Sequence, residues 1–225
     1  MGFFDAIGLT RKITRPRIRA FLERYRTDGK TLDIGCGNRL YGDLFPNAVS
    51  VDRAPREGVT VDVVADAHDL RAFGDGSFDT VLCTEVLEHL HTPAQAIAEF
   101  RRVLRPGGTL LLTTRFVYPL HDTPGDYYRF TKYGLRHLLR DFEIVELIEE
   151  AGTVETLAVL CQRIGFQCDT LWLKPLKCFW FLSALLLRAL RFVITREFGD
   201  IGHGREEENI LCSGYYVAAK NRNSL

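Results

Sequence analysis

The chain has no C-x-x-C pair. Its six cysteines, Cys36, Cys83, Cys161, Cys168, Cys178 and Cys212, stand apart from one another. This spacing excludes a zinc ribbon or dithiol redox motif and predicts reduced thiols, as in a cytoplasmic protein. No metal-ligand spacing stands out, and no metal is expected. A bilayer-spanning helix needs about 20 apolar residues, and the apolar run CFWFLSALLL, Cys178–Leu187, is too short for one. The first residues lack the apolar core of a signal peptide. Gly2 follows Met1, but Ala6 stands where a myristoylation pattern requires a hydroxyl residue. Net charge is also missing: the formal sum is zero, so bulk electrostatics name no partner.

What is there is unevenly placed. Residues 1–30 hold eight basic against three acidic residues, and residues 163–196 hold six against one. Two basic flanks on an acidic body are implied. Hydrophobic residues make up 46% and charged residues 26% of the chain, an ordinary globular balance. Its 225 residues suffice for one domain with a full core plus one appended element.

The pattern turns on Thr31–Asn38, TLDIGCGN. Thr31, Leu32 and Ile34 suit a short buried parallel strand. Gly35 and Gly37 follow at once, where glycine permits a sharp turn and the direct approach of a ligand. Asp33 places a carboxylate at the strand's carboxyl edge, where open α/β sheets bind ligands.

The rest reads as alternating strands and helices. The spacing of Ile13, Ile18, Phe21, Leu22 and Tyr25 predicts an amphipathic helix over 13–26. Asn38–Phe45 reads as a short, poor helix ended by Pro46. Strands follow at Ala48–Val51, Val59–Val64 and Phe78–Cys83, and helices at Thr84–His91 and Pro93–Leu104. Proline starts the last helix and Arg101, Arg102 and Arg105 end it, as the helix dipole prefers. Pro106-Gly107-Gly108 marks a hard turn before a strand at Thr109–Thr114. After a polar and aromatic loop, 115–130, Thr131 caps a helix over Lys132–Arg140. Strands at Glu143–Ile148 and Gly214–Ala219 flank a long insertion, Gly152–Asn209, free of repeats and low-complexity tracts. Such alternation predicts a parallel sheet with helical crossovers.

Three carboxylates, Asp33, Asp52 and Asp66, end three successive strand regions. Asp52 lies 19 residues beyond Asp33, well placed to accept both hydroxyls of a ribose. A dinucleotide fingerprint would need glycine at position 40, which is Leu40. The pattern therefore favours an adenosine without a pyrophosphate.

LDIGCGN, the VD pair at 51–52, ADAHDL at 65–70, FDTVLCTEVLEHL at 78–90 and RVLRPGGTLLLTT at 102–114 together resemble the class I S-adenosylmethionine-dependent methyltransferases, of the bacterial type 11-like kind. The resemblance covers about residues 30–150 and resumes at the last strand. It implies an α/β, Rossmann-like sheet of seven strands, the last antiparallel, flanked by helices. On that basis residues 30–151 and 210–225 would form the methyltransferase domain, 1–29 an amphipathic helical segment and 152–209 a helical insertion. The implied cofactor is S-adenosylmethionine. Asp33, Gly35, Cys36 and Gly37 would hold its methionine part and the turn, and Asp52, with Arg53 beside it, its ribose. Asp66 and the backbone of Ala67 would bind adenine, and Cys83, Thr84 and Glu85 would line the sulfonium. Arg39 stands where the commoner pattern has a third glycine.

His121–Thr131, HDTPGDYYRFT, resembles a segment of bacterial members linked to cell-surface saccharide or lipid-linked pathways. His121, Asp122, Tyr127, Tyr128 and Arg129 are the candidate acceptor-binding residues. A sulfonium donor is already activated, so positioning supplies much of the catalysis. An oxygen acceptor must also lose a proton near neutral pH, which suits histidine: His121 first, His89 second. The absence of an Asn-Pro-Pro-Tyr-type tetrapeptide after strand four argues against nucleic-acid bases as acceptors. The expected function is O-methylation of a small or lipid-linked acceptor. Methylation of a hydrophobic ring such as a quinone precursor, or a catalytically silent cofactor-binding scaffold, are the alternatives. Apolar and basic residues over 171–194 suit a helix lying in the inner face of a membrane, with packing on the domain itself or on a second subunit as the alternatives.

Overall fold

The computed structural model describes residues 14–54, 57–168, 174–194, 197–200, 202 and 204–222. Ile13, expected in the first helix, residues 171–173 of the apolar segment and Arg196 of the second basic flank lie outside the described residues. Two compact units are present. One holds Ile18–Arg115, Leu120–Ile148 and the chain from Tyr215 onward; the other is built on Phe116–Pro119 and Glu149–Gly214.

The first unit is built on a sheet of seven strands. They are β1 (Thr31–Ile34), β2 (Ala48–Asp52), β3 (Val63–Val64), β4 (Phe78–Thr84), β5 (Leu104–Arg115), β6 (Phe142–Glu149) and β9 (Gly214–Asn221). Their order across the sheet is β3-β2-β1-β4-β5-β9-β6, with the last strand antiparallel. β1 is buried along its whole length and pairs in parallel with β2 and β4. Pairing of β4 to β5 jumps from Phe78–Leu104 to Thr80–Thr109. The three extra residues fall on Pro106-Gly107-Gly108, so the predicted turn is a bulge inside one long strand. Gly107 has φ +74°, the left-handed backbone that glycine adopts without strain.

Helix α1 (Arg15–Glu23) buries Ile18, Phe21 and Leu22 in a cluster with Leu82, Leu111, Tyr216 and Ala218. Its basic residues pair outward, Arg19 with Asp43 and Arg24 with Glu146. Here the amphipathic helix covers a sheet. α2 (Pro93–Val103) buries Ala96, Ile97, Phe100 and Val103, one face at helical spacing. The Thr131 hydroxyl accepts the Gly134 N–H at 3.0 Å and caps α3 (Lys132–Leu138).

Three expectations are corrected. Thr84–His91 is not a helix: Glu85 adopts φ +57°, which breaks it, and only a 3₁₀ turn at Leu87–His89 follows. Asn38–Phe45 is a series of turns, because Gly37 and Arg39 both adopt positive φ. β3 is two residues long because the Asp62 carboxylate accepts the Ser50 N–H and hydroxyl just before it.

The second unit carries α4 (Thr153–Gln167), α5 (Lys174–Ala189) and a short hairpin, β7 (Phe198–Asp200) with β8 (Arg205–Glu206). Phe181 and Ala184 are buried, the Phe181 ring meeting Phe166 edge-on at 5.4 Å. Phe181 therefore belongs to the helix–helix contact and not to the exposed apolar block. Among the described residues no helix is long and apolar enough to cross a membrane.

Candidate active site

The carboxyl ends of β1, β2 and β4 gather the sequence-predicted cofactor residues. Gly35 takes φ +63° and a Cβ there would lie 2.4 Å from Val86 Cγ2. Its N–H donates to Val51 O at 2.8 Å. Gly37, at φ +49°, has open space where a Cβ would be. Gly35 is thus demanded by packing, and Gly37 borders room for a ligand. Arg39, at the position where the resemblance expects a third glycine, completes the turn in the left-handed region (φ +51°). Its guanidinium donates to Ala48 O at 3.0 Å.

Asp33 is buried. Burial pushes its carboxyl up to about 7, Asp52 adding to the rise and Arg39 opposing it. A buried carboxylate of this kind calls for a cation. Asp52, half-buried at the end of β2, accepts the Ala54 N–H at 3.1 Å. Cys36 and Cys83 are buried; burial pushes the Cys36 thiol up to about 11 and raises that of Cys83, so both shape the site as neutral thiols. All six cysteines are free.

Asp66 is not an isolated strand-end acid. Its Oδ1 accepts the His68 N–H at 2.9 Å and lies 2.5 Å from His68 Nδ1. Burial works to raise Asp66, but the His68 contacts and the charge of Arg53 hold it below its ordinary value. Thr92 N–H donates to His68 Nε2 at 3.3 Å, which puts the ring proton on Nδ1, facing Asp66. His68 also stacks on His91 at 4.2 Å. Ala67, buried beside it, offers its backbone. His68 went unnoticed in the sequence, although an acid two residues before a histidine is a short-range pairing signal.

The loop expected to bind the acceptor lies on the 3₁₀ turn. Glu88 O accepts the N–H groups of Tyr127 and Tyr128 at 2.9 and 3.1 Å, and Tyr128 OH donates to His91 O at 3.1 Å. Arg129 forms a two-pronged pair with Asp126, both contacts 2.6 Å, which holds the Asp126 carboxyl well below the usual range. Its charge is therefore engaged in fastening the loop. Asp122 adopts φ +49° at the loop's bend, while Tyr127 and Tyr128 stay exposed. His89 and His121 meet edge-on at 4.8 Å. Fully buried Glu88 accepts the Thr114 hydroxyl at 2.8 Å. Burial raises its carboxyl against the pull of its hydrogen bonds and of Arg115 and Arg129. Arg115 pairs with Glu85, and Glu85 also accepts the Thr113 hydroxyl at 2.9 Å. A cavity of about 660 Å³ lined by Asp75, Arg102, Leu104, Phe142 and Asn221 holds none of the candidate residues.

Residues 32–112 match the family described as "Methyltransferase domain". That stretch of the chain is similar to the methyltransferase domain of the class I kind. Over 114 residues, 44% of this chain and 46% of the relative, the chain is 40% identical to the ubiquinone biosynthesis O-methyltransferase of Xanthomonas euvesicatoria pv. vesicatoria. It thus spans about half the length of the curated relatives it matches. Two solved structures share its fold. The [4+2]-cyclase SpnF matches with TM-score 0.58 at 18% identity, over 93% of this chain and 80% of that one. The 1,6-didemethyltoxoflavin-N1-methyltransferase of Burkholderia thailandensis, solved with 1,6-didemethyltoxoflavin and S-adenosylhomocysteine, matches with TM-score 0.55 at 17% identity over 95% and 80%. Identities this low speak for the fold alone.

Proposed function

We propose that this methyltransferase uses S-adenosylmethionine to methylate an oxygen of a small or lipid-linked acceptor. The observation that carries the reading is the set at one sheet edge: buried Asp33, open Gly37, Asp52 ending β2 and the Asp66–His68 pair. These residues fit an adenosine bearing a cationic tail. Asp52 would accept the ribose hydroxyls, Asp66 and the Ala67 N–H would meet adenine, and Asp33 would face positive charge. Cys83, Thr84 and Glu85 would border the reacting carbon. When bound, the cofactor supplies a methyl group on sulfur, already activated toward displacement.

The protein must then orient the acceptor and take its proton. His121 suits proton removal, since its Nδ1 lies 3.3 Å from Asp126, which orients the ring, while its Nε2 stands 3.9 Å from Glu88. His89 is the second base. Tyr127 and Tyr128, exposed on the loop, would contact the acceptor. The curated relatives named for ubiquinone biosynthesis favour a second reading, a hydroxylated quinone-type ring.

Calorimetry with S-adenosylmethionine should give micromolar-range binding, weakened by about 1.5–3 kcal/mol in Asp52→Ala, the scale of a hydrogen bond to a charged group. Labelled cofactor offered with lipid-linked saccharides and with a hydroxylated quinone precursor should label one of them. Binding without any turnover would mark a cofactor-holding scaffold instead.

The exposed face of α5, with Leu176, Phe179, Leu182 and Leu186, followed by exposed Arg188 and Arg191, suits an anionic lipid surface at the inner face of a membrane. Flotation with anionic vesicles should carry the protein upward, less so in salt or in Phe179→Glu. Sedimentation as a compact dimer that ignores vesicles would assign the face to a second copy.

A further inference from the structure

Three side chains from two separate stretches converge beside the 3₁₀ turn. Glu88, His89 and His121 each offer a ligand atom, and these atoms all lie within 4.8 Å of one another. Glu88 is wholly buried, and its Oε1 has no hydrogen-bond partner. Leaving a buried carboxylate oxygen unpaired is costly, so a structure that does so holds it for something. That oxygen stands 3.9 Å from His121 Nε2. Ligands held about 2.1 Å from one tetrahedral metal lie about 3.4 Å apart, so this pair requires only a small closure.

The second polar atom of each group is held elsewhere. Glu88 Oε2 accepts the Thr114 hydroxyl at 2.8 Å. His89 Nδ1 lies 2.7 Å from Gly125 O, which requires the proton there and leaves Nε2 as a lone-pair donor. His121 Nδ1 faces the Asp126 carboxylate at 3.3 Å, and Asp126 is itself clamped by Arg129. An imidazole anchored through one nitrogen by a carbonyl or carboxylate is how proteins orient a metal-binding histidine.

We propose that Glu88, His89 and His121 form a three-ligand site for a divalent cation. Two imidazoles and one carboxylate select zinc, manganese or iron over magnesium or calcium. Three protein ligands leave positions open, as catalytic sites do. In its role the site rests on and deepens the function proposed above: a cation there would hold the acceptor oxygen and make it more acidic, its proton passing to solvent water, with His121 and His89 acting as ligands in place of bases. Its occupancy does not depend on that reading.

Metal binding itself is the test. Full-length protein stripped with a chelator should take up one Zn²⁺ or Mn²⁺, measured by calorimetry and elemental analysis, with no uptake of Mg²⁺ at the same concentration. His89→Gln and His121→Gln should each weaken uptake by at least about 100-fold, exceeding the effect of losing an outer partner. Glu88→Gln should do the same; if it fails to fold, the two histidine variants decide. His91→Gln, at the other histidine pair, should bind as the wild type does. Zn²⁺ should also raise the melting temperature of the wild type and not of His89→Gln. No stoichiometric uptake, or equal uptake by the histidine variants, overturns the site. Methyl transfer that survives chelation would leave the proposed function standing and remove the cation from it.

Discussion

Asp126 holds His121 twice: its Oδ2 accepts the His121 backbone N–H at 2.9 Å and lies 3.3 Å from the Nδ1 of the same residue. The carboxylate is buried, with 1% of its side chain exposed, and its negative charge is balanced by Arg129 at 2.6 Å. One acid therefore fixes the loop's backbone and the ring of the residue proposed to take the acceptor's proton.

Asp126→Asn should lower turnover by about 10²-fold while leaving cofactor affinity unchanged, because the ring loses its orienting carboxylate. It should also destabilise the fold by about 1.5–3 kcal/mol at neutral pH, the scale of a charged hydrogen bond lost. The carboxyl of Asp126 is depressed, by the Arg129 hydrogen bonds first, although burial opposes the shift. Its stabilisation is thus complete above the ordinary carboxylate pKa of about 3.9 and fades as pH falls toward the lower folded value. The gap between wild type and variant in thermal melts should narrow on acidification. A constant gap from pH 7 to pH 2 would deny the linkage.

The two glycines of the first turn should respond differently to alanine. Gly35→Ala meets Val86 Cγ2 at 2.4 Å in a backbone at φ +63°. Overpacking and left-handed strain together should cost about 2–4 kcal/mol, seen as a lower midpoint in denaturant. Gly37→Ala has room for its methyl and should cost about 1–2 kcal/mol, but should weaken cofactor binding, because the open space is where a ligand would lie. Equal stability losses in the two variants would contradict the packing contact.

Asp33 supplies a pH dependence of opposite sign. Burial raises its folded pKa to about 7, above the unfolded value of about 3.9. Ionising it in the fold therefore carries a penalty that is absent below about pH 4, grows between pH 4 and 7 and is constant above. Asp33→Asn should be more stable than the wild type above pH 7 by about 2–4 kcal/mol in the absence of ligand. That advantage should vanish near pH 4. The same substitution should weaken S-adenosylmethionine binding, since the ionised Asp33 would face the cofactor's positive charge. An Asn variant equal to wild type at every pH would mean that Asp33 is solvated in the fold.

Much was legible from the chain because it rests on local causes. TLDIGCGN encodes a buried strand and a tight turn through β-branched and glycine chemistry, and Asp33, Asp52 and Asp66 fall at strand ends by spacing alone. Thr131 announced a helix cap, whereas the turn expected at Pro106-Gly107-Gly108 is a bulge within β5. Partnerships made across distance were not legible in this way. Glu88 and His89 meet His121 only because the loop after β5 folds back onto the 3₁₀ turn through Glu88 O. The left-handed Glu85, which no propensity foretold, ended the helix expected there. Phe181 looked like its exposed apolar neighbours, yet α4 covers it at Gly165, where a Cβ would lie 3.1 Å from its ring. The sheet edge and its acids follow from the residues themselves, since strand, turn and cap preferences act over a few positions. Which acid stands against which histidine depends on where the chain returns, and folding alone settles that.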